Sequence, residues 1–196
     1  MSSSSSEPKR ALRAAIVAAR ARLTPEERWA RSLAIARRAE TLDGVRAART
    51  LAAYAALGAE VDPAPLVEAA AARGVRVVFP RAVPGDRRLS FASCAPEELQ
   101  RGSLGVGEPP PGALDVPLDA IDAVILPGVA FTPDGHRLGR GGGYYDATLA
   151  AMPRALKVGL AFDLQIVPSL PFEAHDVRLD AIATELRLFL AGGDSI

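Results

Sequence analysis

Residues 50–79, TLAAYAALGAEVDPAPLVEAAAARGVRVVF, decide the fold class. Thr50–Ala56 (TLAAYAA) is a short apolar run, the pattern of a buried strand. Asp62-Pro63 supplies a helix start, the alanine-rich stretch Ala64–Arg73 continues it, and Gly74 ends it. Val75–Phe79 (VRVVF) is a second strand, closed by Pro80. Two apolar strands joined by a helix form a βαβ unit, and such a crossover implies parallel pairing.

The same reading extends outward. Toward the C-terminus, Arg88–Ala92 is an expected edge strand, Ala95–Gln100 a short helix, and the proline- and glycine-rich Gly102–Pro117 a loop within one domain. Asp122–Leu126, Leu156–Ala161 and Ala181–Thr184 are further strands. Toward the N-terminus, Leu12 and Ile16 lie four apart in a helix over residues 8–22, and Leu23 closes their stripe. Thr24-Pro25-Glu26-Glu27 then combines an N-cap, a first-turn proline and a capping box. That second helix is expected to run to about Leu42, with Trp29, Leu33 and Ala36 on its inner face, until Asp43-Gly44 ends it. The sum is an α/β domain: a mostly parallel central sheet flanked by helices, with an N-terminal helical arm. Ligands of open parallel sheets sit at the carboxyl ends of the strands. Glu60, the glycine-rich segment around Gly141, and Asp163 onward fall there.

Composition narrows the function classes. The 196 residues suit one domain, placed at 8–196, with the serine-rich 1–7 a disordered tail. Hydrophobic residues make up 49%, enough for a core. Formal net charge is zero and aromatics are 5%, which argues against a nucleic-acid or membrane partner. The arginines crowded into residues 9–49, Arg20 among them, are the solvated faces of helices. Cys94 is the sole cysteine, so no disulfide forms and a structural thiol in a reducing compartment is expected. MSSSSSEPKR lacks the apolar core of a signal peptide, so the expected location is the cytoplasm and the expected state a monomer.

The chemistry concentrates in residues 124–146, VILPGVAFTPDGHRLGRGGGYYD. A strand enters, a polar loop follows, and glycines precede a helix start. Glycines let backbone N–H groups approach phosphate oxygens, and the free N–H groups of a first helical turn point the same way. Arg137 and Arg140 add forked donors, and Asp146 a hard oxygen for Mg²⁺. The phosphate-loop pattern GxxxxGK followed by Ser or Thr is absent, and the spacing of a dinucleotide fingerprint is absent too. The residues alone leave two readings open, an anion-binding loop and a set of tight turns.

Four separated blocks, in order, resemble the 5-formyltetrahydrofolate cyclo-ligase family. They are Lys9-Arg10-Ala11-Leu12-Arg13; Tyr54 through Glu60-Val61-Asp62; Leu126–Phe131 with Gly135–Asp146; and Gln165 through His175-Asp176 with Thr184-Glu185. The resemblance implies a fold like that of sugar-phosphate isomerases and CoA-transferases. It implies ATP-dependent conversion of 5-formyltetrahydrofolate to 5,10-methenyltetrahydrofolate with Mg²⁺, releasing ADP and phosphate. It assigns Lys9, Arg10, Ala11, Leu12 and Arg13 to ATP, together with the loop Arg137, Leu138, Gly139, Arg140, Gly141, Gly142, Gly143, Tyr144 and Tyr145. It assigns Ala55, Glu60 and Arg140 through Tyr144 to the folate, Arg140 and Tyr144 to catalysis, and Asp146 and Asp176 to the metal. His175 would be a structural imidazole or a proton shuttle, and His136 a bystander in an exposed loop. Gly142 stands where some members carry lysine and Ala147 where an arginine often follows, which shifts charge onto Lys9, Arg13, Arg137 and Arg140. The alternatives are a sugar-phosphate isomerase or CoA-transferase-like enzyme, which needs no ATP, and a non-catalytic nucleotide or folate sensor.

Overall fold

The structure, a computed structural model, describes residues 6–173 and 176–191. Helix α1 spans Ser6–Ala21 and α2 spans Pro25–Ala39. A short α3 (Asp43–Arg46) leads into β1 (Thr50–Ala52); α4 (Ala64–Ala72) leads into β2 (Arg76–Ala82) and β3 (Leu89–Ser93). The next strands are β4 (Gln100–Arg101), β5 (Gly107–Glu108), β6 (Leu114–Val116) and β7 (Ala123–Leu126). A small hairpin, β8 (Ala130–Phe131) with β9 (Arg137–Leu138), precedes α5 (Tyr144–Leu149). The chain closes with β10 (Leu156–Leu160), β11 (Ala181–Ala183) and β12 (Leu188–Leu190).

Eight strands form one sheet in the order β12-β11-β10-β7-β1-β2-β3-β6. The five central strands, β11 to β2, are parallel; β12, β3 and β6 are antiparallel. The chain steps from β1 to β2 on one side and later returns to β7 on the other. That reversal is a topological switch point, where a crevice opens between the loops that leave β1 and β7.

Strand residues alternate between two cores. Leu51, Val77, Phe79, Ile125, Val158 and Leu160 face α2, α3 and α4. Ala52, Val78, Val124, Leu126 and Ile182 face α5 and the loops on the other side. Phe91, Phe131 and Phe162 are fully buried, each contributing roughly 1.5–3 kcal/mol by burial. A third, smaller cluster seats Leu12 and Ile16 of α1 on Val129, Ala130, Leu138 and Leu170.

Several expectations are corrected. The inner face of α2 is Ser32, Ile35, Ala36 and Ala39, while Trp29 is exposed. The capping box at Thr24 is present, but α2 stops at Ala39 and Asp43-Gly44 begins α3. β2 does not end at Pro80. Ala53 N–H donates to the Val78 carbonyl, so Val78 and Pro80 turn their polar groups toward β1, and β1 has already ended when Pro80 is reached. The absent N–H is therefore not missed. β3 is internal, flanked by β2 and β6; the edge is β6, which lies inside the segment expected to be loop. Residues 95–100 hold a single 3₁₀ turn, Pro96–Glu98.

Candidate active site

A cleft of about 1060 Å³ opens at the switch point. From β1 and its loop come Tyr54, Ala55 and Glu60; from β7, Pro127 and Gly128; from the glycine loop and α5, Arg137 through Asp146. Lys9 and Arg13 of α1 and Glu173 and Asp176 of the C-terminal segment complete that end. Three of the four sequence blocks thus converge with all their charged members except Arg10, and Asp176 joins from the fourth.

Helix α1 reaches the cleft because Lys9, Arg13, Ile16 and Arg20 recur at helical spacing on one face. Lys9 Nζ bonds Glu173 at 2.9 Å, and Arg13 Nε donates to the Gly139 carbonyl at 2.9 Å. Arg10 points elsewhere, pairing with Glu7 at 2.6 Å in solvent. Leu12 packs on the hairpin cluster, and neither it nor Ala11 lines the cleft.

The glycine loop is shaped by its own backbone. Gly141 (φ 106°) and Gly143 (φ 70°) take left-handed conformations that other residues resist. A Cβ on Gly142 would meet the Tyr144 ring at 2.8 Å, so a longer residue there must displace the ring. α5 is only six residues long, which makes the loop amides rather than a helix dipole the main anion donors. Arg137 is almost wholly buried and acts as a staple. Its NH2 reaches both oxygens of Asp146 at 3.1 Å, its NH1 the Pro127 carbonyl at 3.4 Å, and its guanidinium lies 5.6 Å from the Tyr145 ring centre.

Glu60 and Arg140, from separate blocks, bond to each other. Glu60 is 7% exposed; Oε1 accepts from Arg140 Nε at 3.1 Å and NH2 at 3.0 Å, and Oε2 from Leu57 N–H at 2.9 Å. The Arg140 side chain remains 51% exposed and also donates to the Leu57 carbonyl at 3.3 Å. Burial, and then the Glu60 charge, push the Tyr54 hydroxyl well above its ordinary range; it donates to the Val61 carbonyl at 2.7 Å. Burial likewise pushes the Tyr145 hydroxyl upward.

Other expected residues serve elsewhere. Gln165 is buried and donates to the carbonyls of Gly128 and Val129, bracing the cleft floor. Glu185 ties β11 to α2 through Arg31 at 2.8 Å, and Arg38 donates to the Thr184 carbonyl at 2.7 Å. Asp163 is bound by Arg187 and Thr184. His136 is buried, not in an exposed loop. Its Nε2 accepts from Arg178 Nε at 3.2 Å, and its ring stacks on Phe172 at 4.3 Å. His175 lies outside the described residues. Among the described residues, no three His, Cys, Asp or Glu side chains converge as a metal site.

The far wall went unread in the sequence. The β4–β5 hairpin lends Leu104, Val106, Gly107 and Glu108, and a Cβ on Gly107 would stand 3.0 Å from that of Ala55. With Pro80, Ala82 and Leu89 it gives the cleft an apolar side opposite the cationic one. Length and alternation identify strands, and two-residue strands offer neither.

An open α/β sheet with an anion-shaped loop and an apolar wall at its switch point is the architecture of an enzyme that joins a phosphorylated ligand to a flat organic one. The chain belongs to the 5-formyltetrahydrofolate cyclo-ligase family, whose sequence profile matches residues 5–185. It is 37% identical over 172 residues to the 5-formyltetrahydrofolate cyclo-ligase of Escherichia coli strain K12, covering 85% of this chain and 94% of that protein. The enzyme of the same name from Mycolicibacterium smegmatis is 32% identical over 153 residues, 73% of this chain and 77% of the relative. The solved structure of Aquifex aeolicus 5,10-methenyltetrahydrofolate synthetase superposes with a TM-score of 0.80 at 29% identity, covering 95% of this chain and 94% of that one. The Mycoplasma pneumoniae 5,10-methenyltetrahydrofolate synthetase gives 0.74 at 26% identity, over 90% and 98% of the two chains. The expected family and fold class are those found. No helix among the described residues is long and apolar enough to cross a membrane.

Proposed function

We propose that this chain cyclises 5-formyltetrahydrofolate to 5,10-methenyltetrahydrofolate at the expense of ATP, as a single cytoplasmic domain over residues 8–196 that acts as a monomer. The observation that carries the reading is the meeting of the separated blocks in one cleft, cationic on one side and apolar on the other.

The chemistry accounts for the residue types. A formamide oxygen is a poor leaving group. It attacks the γ-phosphorus, the bond to ADP breaks, and the oxygen becomes a phosphate ester. N10 then attacks the activated carbon and loses its proton, the C–O bond breaks, and phosphate departs to leave the N5–CH–N10 amidinium. Phosphoryl transfer depends on positioning and charge neutralisation, so no side-chain nucleophile is needed. The amides of Gly139–Gly143 and the cations Lys9 and Arg13 hold the triphosphate, and Arg137 keeps the loop in shape. Arg140 takes up the transferred charge, and Tyr144 sits against the reacting group. Glu60 accepts from the paired N–H donors of the aminopyrimidinone, and Ala55 gives a flat contact beneath it.

Mg²⁺ draws most of its oxygen ligands from phosphate and water and needs one or two carboxylates from the protein. Asp146 and Asp176, both on the cleft wall, are hard-oxygen donors that fit this share. When bound, the ion neutralises charge on the phosphate oxygens.

The test follows absorbance of the methenyl product, with and without ATP and Mg²⁺, beside folate-dependent ADP release. A sugar-phosphate isomerase-like enzyme or a sensor would show no such release. Arg140→Ala is expected to lower turnover at least about tenfold, roughly 1.4 kcal/mol of barrier, and an unchanged rate removes Arg140 from the mechanism.

A further inference from the structure

Arg20 shares the face of α1 that carries Lys9 and Arg13, yet it ends beneath the cleft floor, 3% exposed. Its NH1 donates to the Gly128 carbonyl at 3.3 Å, and its Nε has no partner. The carbonyl is already served by Gln165, at 2.9 Å, so satisfying Gly128 does not explain a buried guanidinium. A charge taken out of water without compensation is costly. Burial pushes the Arg20 guanidinium down from its ordinary range; the Glu60 charge opposes that shift, and Arg140 adds to it.

Glu60 is held by two bonds from Arg140 and one from Leu57 N–H. The groups that face it are Arg140 from the glycine loop, Arg20 from α1, Tyr54 from the end of β1 and Tyr145 from α5. The proposed reaction requires Arg140 to turn from Glu60 to a phosphate. With Arg140 gone, the buried carboxylate would keep one backbone N–H and whatever charge stands nearby.

We infer that Arg20 is the standing counter-charge of Glu60, a positioning residue that lets Arg140 exchange the carboxylate for the triphosphate without stranding a buried anion. The inference rests on the reading of Arg140 as a phosphate-binding group. Arg20 never touches substrate. It sets how tightly Glu60 retains Arg140, and so acts on ATP through Arg140 alone.

The experiment is calorimetric titration of MgATP, without folate, into the full-length wild-type enzyme and the variants Arg20→Met, Arg20→Lys, Arg140→Ala and the Arg20→Met/Arg140→Ala double. Methionine keeps the bulk and removes the charge; lysine keeps the charge. Arg20→Met should weaken ATP at least tenfold, Arg20→Lys by no more than about threefold, and the double variant should bind no more weakly than Arg140→Ala alone. Losses that multiply in the double variant, or wild-type affinity in a folded Arg20→Met, overturn the inference. Wild-type affinity in Arg140→Ala overturns the reading of Arg140 instead. If Arg20→Met does not fold, the Arg20→Met/Glu60→Gln pair decides. Neutralising Glu60 should restore folding, and a double variant that stays unfolded shows that Arg20 is needed for packing and not for charge.

Discussion

Arg137 holds both oxygens of Asp146 while lying nearly out of reach of solvent, and the same Asp146 is the carboxylate expected to meet a metal. The two roles are separable. As the partner of a buried guanidinium, Asp146 stabilises the fold, and Asp146→Asn should lower stability by about 2 kcal/mol, a few degrees of melting temperature. As a metal ligand it should also govern Mg²⁺, and the half-saturating Mg²⁺ concentration for activity should rise at least about tenfold. Melting curves and Mg²⁺ titrations of the same preparation read the two effects. A lowered melting temperature with an unmoved Mg²⁺ requirement would leave Asp146 as a staple and nothing more. At this scale, sequence predicted which residue types gather but not how they pair. Arg140 and Glu60 stand in different blocks, and no spacing announces a bond between them. Arg20 is harder still: on an alanine-rich helix dense in arginine, pattern alone cannot separate the one that turns inward.

Helix α1 is an arm whose only apolar anchor is the small cluster of Leu12 and Ile16 on Val129, Ala130, Leu138 and Leu170. Its remaining ties are polar: Lys9 to Glu173, Arg13 to Gly139 and Arg20 to Gly128. Weakening the anchor should therefore loosen the arm and leave the sheet intact. Ile16→Ala removes buried side-chain volume worth about 2–4 kcal/mol. It should raise hydrogen exchange along α1 and weaken ATP binding, while the amides of β1, β7 and β10 keep their protection. Equal loss of protection in α1 and the central strands would show that the arm is part of one cooperative unit. The helix itself was legible, because Leu12 and Ile16 mark a stripe four residues apart. Its landing site was not: the β8–β9 hairpin offers two residues per strand, too few to show alternation.

At the scale of the whole molecule, the βαβ unit over residues 50–79 was enough to predict parallel pairing, and parallel pairing placed the ligand at the carboxyl ends of the strands. The antiparallel edges were not legible. β6 is three residues inside a proline-rich stretch, and β12 is three residues near the end of the chain, so their pairing is decided by the sheet they join. One of those edges carries a pH dependence. Asp163, just past β10, accepts from Arg187 at 2.7 and 2.9 Å and from Thr184 at 3.1 Å, tying β10 to the β11–β12 turn. The Arg187 bonds, above all, hold its carboxyl below the ordinary 3.8, with burial pulling the other way and Thr184 helping. The folded chain therefore binds fewer protons than the unfolded one as pH approaches and passes below that value. The stability this carboxylate contributes is fully present above 3.8 and drains away as pH falls through the lower folded-state value. Calorimetric melting between about pH 5 and pH 2 should show a steep loss for the wild-type chain. Asp163→Asn should melt lower at neutral pH and lose less over that acid range. Parallel acid slopes for the two proteins would mean that Asp163 does not link the β12 edge to the sheet through its charge.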